Sequence, residues 1–215
     1  NKISSETGGV ISAIACDVTD VNQIETTFQK LINDHGRVDI LVNNAGTSSA
    51  SPFDETSDEV WDYDIELKVY GAIRCSRIAV EHMKNQGGGR IVNITTPGGK
   101  APGPSSVPTS VSRAAGIALT KAMSKDLASD NILVNTVGVG LIKSGQHRRR
   151  WEKINEQDAN VSLDDFYEDM GSRVPMGRVG EAKEVGSVVA FLVSDRGSYV
   201  TGASINVDGG TSPVV

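Results

Sequence analysis

Apolar residues along this chain recur at two periods, and the switch between them lays out the elements in order. "GGVISAIACDVTD" (Gly8 to Asp20) carries an apolar run that suits a short buried strand ending at Asp17. Thr19 or Asp20 then caps a helix in which Ile24, Phe28, Leu31 and Ile32 recur at helical spacing. "HGRVDILVNNAG" (His35 to Gly46) closes that helix at a glycine and enters a second strand, Val38 to Val42. Ser57 to Lys84 reads as one long helix, with Trp61, Ile65, Val69, Ile73 and Val80 on its apolar stripe and Gly71 placed for close packing. "GGGRIVNIT" (Gly87 to Thr95) is a turn and a third strand, followed by a Gly/Pro/Ser loop and a helix from Val107 to Ser129. "NILVNTVGVG" (Asn131 to Gly140) is a fourth strand, and the polar stretch Lys143 to Met176 holds short helices joined to a mobile flap. "EAKEVGSVVAFLVSD" (Glu181 to Asp195) is an amphipathic helix and "ASINVDGG" (Ala203 to Gly210) the last strand.

Five apolar strands separated mostly by helices predict an α/β protein, a doubly wound parallel sheet covered on both faces. With 215 residues and neither repeat nor linker, the chain reads as one domain over 1–215, with 143–176 as the flap. A net charge of -6 argues against a nucleic-acid binder, since phosphate contact needs a positive field; "HRRR" (His147 to Arg150) is the one local basic patch. No apolar run approaches a membrane span. Cys16 and Cys75 make neither a metal spacing nor a disulfide framework, which fits a reducing, cytoplasmic setting and two buried small side chains.

In such sheets ligands bind outside the carboxyl ends of the strands, which directs attention to Asp17, Asn43 to Gly46, Thr95, Thr96 and Gly138 to Ser144. Asp17 can accept from an adenine amine or simply cap the next helix. "NNAG" lets backbone approach a flat ligand, or is a turn held by asparagine side chains. Thr96, Thr109 and Ser112 carry hydroxyls that are poor acids on their own, and Arg113 can clamp but not shuttle a proton. Lys68 can do both if desolvated, and is otherwise a solvated helical lysine. His147 is either a substrate contact from the flap or an exposed loop residue; His35 and His82 read as cap-region and surface residues. No metal-ligand cluster is present in the sequence pattern.

In order and spacing, "CDVTD", "VDILVNNAG", "GRIVNIT", "LVNTVGVG", "MGRVGEAKEVGSVVAFLVSD" and "YVTGASINVDGG" resemble the short-chain dehydrogenase/reductase family over essentially the whole chain. The resemblance implies a Rossmann-like three-layer α/β/α fold and a site for NAD or NADP. Asp17 and Val18 would lie beside the adenine, and Asn44, Ala45 and Gly46 along the adenosine ribose. Gly140 keeps one glycine of the usual proline-glycine pair, and Ile142 and Ser144 match the nicotinamide carboxamide contacts. The N-terminal strand and its Gly-rich phosphate turn are not in these residues, so the resemblance implies roughly 30 to 50 residues before Asn1. The Asn-Ser-Tyr-Lys tetrad of the family falls on Lys68, Thr96, Thr109 and Arg113. Threonine can hold a carbonyl oxygen as serine does, but it lacks the acidity of a phenol. Two readings follow. One is a reductase of a carbonyl or alcohol substrate whose proton comes from Lys68, His147 or water, with Arg113 gripping the nicotinamide ribose. The other is a nucleotide-binding subunit without ordinary turnover, acting as a regulator or scaffold. Family members pair through the helices at Ser57 to Lys84 and Val107 to Ser129 and through the last strand, which implies a homodimer or homotetramer.

Overall fold

The computed structural model describes residues 2–157 and 161–215; residues 158–160 of the expected flap lie outside the described residues. Four strands form one parallel sheet in the order β1 (Ile40–Asn43), β2 (Gly89–Thr95), β3 (Ile132–Val139) and β4 (Ser204–Val207). Successive side chains of β2 and β3 point to opposite faces. Ile91, Ile132 and Val134 pack with Ile24 and Phe28 of α2 (Val21–His35) and with Cys75, Ala79 and Met83 of α4 (Gly71–Asn85). α5 (Thr109–Asp126) lies on this face too, its Thr120 bonded to Asn93 of β2 and Thr136 of β3. On the other face Val92 and Val137 pack against Leu192 of α8 (Ala182–Val193). The chain therefore has helices on both sides of a parallel sheet, the expected three-layer α/β architecture.

Hydrophobic pattern alone specifies register weakly in strands buried on both faces, as β3 is. A polar row supplies the missing constraint. Asn43, Asn93 and Thr136 sit opposite one another on β1, β2 and β3. Asn43 Nδ2 donates to Asn93 Oδ1 (2.8 Å), Asn93 Nδ2 to Thr120 Oγ1 (2.8 Å), and Thr136 Oγ1 lies 2.7 Å from the same hydroxyl. A slip of one residue would break this row and leave buried polar groups unpaired.

Two expectations need correcting. Gly8 to Cys16 forms no strand: it is irregular and mostly exposed, following a short helix α1 (Lys2–Thr7) that the pattern did not predict. A strand requires a ladder partner, and this run has none among the described residues, while the outer edge of β1 leaves Ile40 and Val42 exposed. The sheet consequently has four strands rather than five. The long helix is also not uniform. α3 (Asp58–Ile65) passes into α4 through one wide turn, Glu66–Tyr70, in which Gly71 N–H reaches back five residues to Glu66 O. The close-packing reading of Gly71 holds, since a Cβ there would lie 3.0 Å from Val18 Cγ2. Asp20 is the α2 cap, accepting from Asn22 and Gln23 N–H, and Gly36 ends that helix in the left-handed region at φ 76°. The Lys143 to Met176 stretch folds into α6 (Gly145–Gln157) and α7 (Leu163–Ser172). These share a small apolar cluster of Phe166, Met170 and Val179, with Trp151 packed against it. Among the described residues, no helix is long and apolar enough to cross a membrane.

Candidate active site

A cleft of about 1180 Å³ opens at the carboxyl ends of β1, β2 and β3. It brings together most of the expected residues: Asn44, Gly46, Thr96, Thr109, Arg113, Gly140, Ile142 and Ser144 all line it. Val18, Asn44, Ala45, Lys68 and Arg113 line an adjoining cavity of about 210 Å³. Asp17 lines neither of these two. Its Oδ1 is taken by Thr19 N–H (2.9 Å) and Thr19 Oγ1 (2.8 Å), which also hold its carboxyl below the usual range. The local role of Asp17, an exposed residue, is thus the turn into α2.

Lys68 is not a solvated lysine. The wide turn carries it inward, and its side chain is 1% exposed against 0% for Asp64, four residues earlier. Lys68 Nζ donates to Asp64 Oδ1 and to Thr109 Oγ1 (3.2 Å). The second oxygen of Asp64 accepts from Ser112 Oγ at 2.6 Å, and that hydroxyl lies 3.0 Å from Thr109 O. One buried carboxylate therefore ties the ammonium to the first turn of α5. Burial is the largest influence on Lys68 and lowers its pKa; the bond to Asp64 opposes this, and the nearby Arg113 charge adds to the lowering.

Thr109 Oγ1 accepts a second hydrogen bond, from Ser49 N–H at 2.9 Å. Ser51 N–H pairs with Val107 O (2.9 Å), so the segment after β1 is strapped across the start of α5. With both lone pairs of the hydroxyl engaged by donors, its own proton is left for the cleft. Thr96, half-buried at the end of β2, has a side-chain hydroxyl with no partner among the described residues.

Arg113 stretches under the Gly46 turn. Its Nη1 donates to Ile94 O (2.7 Å), while its Nε is buried with no acceptor. A Cβ on Gly46 would fall 2.8 Å from Arg113 Nη2, so the guanidinium occupies the space a side chain there would need. Desolvation lowers the Arg113 pKa, Asp64 opposing it.

On the far wall, Ile142 is buried and paired with Gly180 through Lys143 N–H to Gly180 O and Gly180 N–H to Leu141 O, both 2.9 Å. Its carbonyl accepts from His147 Nδ1 at 2.9 Å. Burial, and then the Arg150 charge, hold the imidazole below its ordinary pKa against the opposing effect of that bond. His147 N–H lies 3.3 Å from Ser144 Oγ, anchoring the first turn of α6. Among the described residues no Asp or Glu lines this cleft, whereas Arg113, Lys143 and Arg149 do.

Asp64 and Ser49 went unnoticed in the sequence, and Ser112 was singled out for its hydroxyl but not for its bond to Asp64. Asp64 had a signal, a carboxylate four residues before a lysine on one helix. Ser49 contributes only backbone, and no pattern marks it. His82 is half-buried rather than on the surface, and Cys75 is buried with its thiol pushed up to about 11 by desolvation.

Residues 1–212 match the family model described as Enoyl-(Acyl carrier protein) reductase. A 3-oxoacyl-[acyl-carrier-protein] reductase of Thermotoga maritima is 35% identical over 202 residues, which are 94% of this chain and 77% of that protein. Its Haemophilus influenzae counterpart is 32% identical over 208 residues, 97% of this chain and 81% of the relative. Among solved structures, L-sorbose reductase from Gluconobacter frateurii, complexed with NADPH and L-sorbose, superposes with a TM-score of 0.93 at 27% identity, covering 100% of this chain and 81% of that one. NAD+-bound xylitol dehydrogenase gives 0.83 at 30% identity, covering 95% and 81%.

Proposed function

Because the chain belongs to the short-chain dehydrogenase/reductase family, we propose that its cleft carries out NAD(P)-dependent interconversion of a carbonyl compound and its alcohol, with the proton delivered by Lys68 through Thr109. The residues present fit a nicotinamide coenzyme on this structure's own evidence. Arg113 offers a buried, unpartnered Nε, and its guanidinium packs against Gly46, where a side chain would otherwise stand. Arg113, Ile142 and Ser144 would hold the nicotinamide half, and Val18 with Asn44, Ala45 and Gly46 the adenosine half. When bound, the coenzyme supplies or accepts hydride.

The observation that carries the reading is the double acceptance at Thr109. An aliphatic hydroxyl is a weak acid, but it passes a proton readily when a neighbour replaces the one it gives. In the reduction direction Thr96 donates to the substrate oxygen and holds it. Thr109 Oγ–H gives its proton to that oxygen as negative charge develops, and Lys68 Nζ–H returns one to Thr109. Oxidation runs the same transfers backwards, with Lys68 neutral. Lowering of the Lys68 pKa by its dry surroundings helps the transfer, and the fixed charge of Arg113 stabilises the oxyanion. Relatives are named for reduction of 3-oxoacyl-[acyl-carrier-protein] and of L-sorbose, so a carbonyl or alcohol of small or medium size is the substrate class proposed. Residues 143–176 would close over it, and the family's pairing implies a homodimer or homotetramer.

The test is steady-state kinetics of the full-length protein with each nicotinamide coenzyme on a ketone and alcohol panel, against pH. Reduction should fall as pH rises through the lowered Lys68 pKa, because the ammonium is then lost, while oxidation should rise. Full turnover in Lys68→Met, with an unchanged pH profile, would remove the proposed donor.

A further inference from the structure

We propose that His147 is a specificity-determining residue, presenting Nε2 as an acceptor for a hydroxyl on the substrate, so that the site favours hydroxylated carbonyl compounds over plain ketones. The inference rests on the preceding reading of the cleft and narrows its substrate.

It begins with the tautomer. A carbonyl oxygen only accepts, so the 2.9 Å contact to Ile142 O requires the proton on Nδ1. In a neutral ring Nε2 is then bare and can only accept. No hydrogen bond engages Nε2 among the described residues, and the half-buried ring lines the cleft that holds Thr96 and Thr109. The ring is also fixed in place. Its tether, Ile142, is 8% exposed and paired to Gly180, and its own N–H is held by Ser144 Oγ. His147 is therefore pinned to the end of the sheet although it belongs to α6.

The rest of the lining gives this acceptor its value. Arg113, Lys143 and Arg149 only donate, the hydroxyls and the amides of Asn44 and Gln146 serve either way, and no carboxylate is present among the described residues. A plain ketone satisfies donors and leaves Nε2 desolvated and unpaired, which is penalised. A substrate with a hydroxyl near its carbonyl satisfies both. The same geometry removes His147 as the proton source, since its one N–H is committed to Ile142.

The experiment compares butanone with its two terminally hydroxylated derivatives in the full-length protein. It measures kcat/KM with a nicotinamide coenzyme and, separately, binding of the three probes by ligand-observed NMR. Wild type should prefer at least one hydroxylated probe by on the order of 10- to 100-fold. His147→Phe should collapse that ratio towards unity, and His147→Gln, whose amide oxygen still accepts, should keep part of it. An equal ratio in wild type and His147→Phe, or no preference in wild type, overturns the proposal. Absence of turnover with a hydroxyl preference in binding that His147→Phe abolishes would sink the catalytic reading and leave this one standing. Turnover that depends on Lys68 but ignores the hydroxyl would do the reverse.

Discussion

The two walls of the cleft are built in opposite ways. On the wall made by α3, the wide turn and α5, Asp64, Lys68, Ser112 and Thr109 are tied to one another and largely withdrawn from water. On the α6 wall, Lys143 and Arg149 are exposed, and Lys143 forms an ion pair with Glu181 at 2.7 Å between two groups that are each more than 40% exposed. Ion pairs of the second kind contribute little to stability because water and salt screen them. Of the first kind, either partner alone is a buried uncompensated charge. On the proposed reading this is a division of labour: groups that move a proton are set by the packed interior, whereas groups that choose a substrate sit on the exposed helices at its edge.

That contrast is sharpest at Lys68. Replacing it with alanine should lower turnover about 10²- to 10⁴-fold. The same change should cost about 3–5 kcal/mol in unfolding free energy, because Asp64 is left alone. Denaturant unfolding beside kinetics checks both, and the double change Asp64→Asn with Lys68→Met should restore stability without restoring turnover. Next in size is Thr109→Val, expected to lower kcat about 100-fold or more while losing about 1–3 kcal/mol for the Ser49 N–H left without its acceptor. Thr109→Ser should keep most of both. An activity equal in Thr109→Val and wild type would mean that the two walls do not divide the work in this way.

How far the chain announced this in advance varies with the range of the interaction. Strands β1 to β4, α2 and its Asp20 cap, and α8 follow from local period and caps. Cleft residues at strand ends were legible once the parallel sheet was inferred. The wide turn at Glu66–Tyr70 was not, because its five residues, ELKVY, have no composition that opposes an ordinary helix. The burial of Lys68 therefore stayed one of two alternatives, and the charge beside it escaped notice. The failed strand before Asp17 has the opposite cause: its apolar alternation is genuine, but strand formation depends on a neighbour that periodicity does not report.

Smaller effects test the exposed wall. Lys143→Ala should change unfolding free energy by under about 1 kcal/mol and respond to salt, unlike any change at Lys68. Glu184 gives the smallest signal. Its carboxylate sits at about 2, held down first by Arg178 and then by Glu181 N–H in the α8 capping box. A depressed carboxylate contributes stability above its unfolded value near 4.5, and the contribution fades as pH falls from there towards about 2. Glu184→Gln should flatten the acid limb of the stability curve in that interval, and Arg178→Ala should narrow it from below.

The row of Asn43, Asn93 and Thr136 has a consequence beyond pairing. It lies one, three and four residues before Asn44, Thr96 and Gly140 respectively, so it works as a datum line from which each cleft-lining segment is measured. Chain segments beyond it can lengthen or change composition while their starting points stay level, which is what lets a single scaffold exchange its chemistry loop by loop.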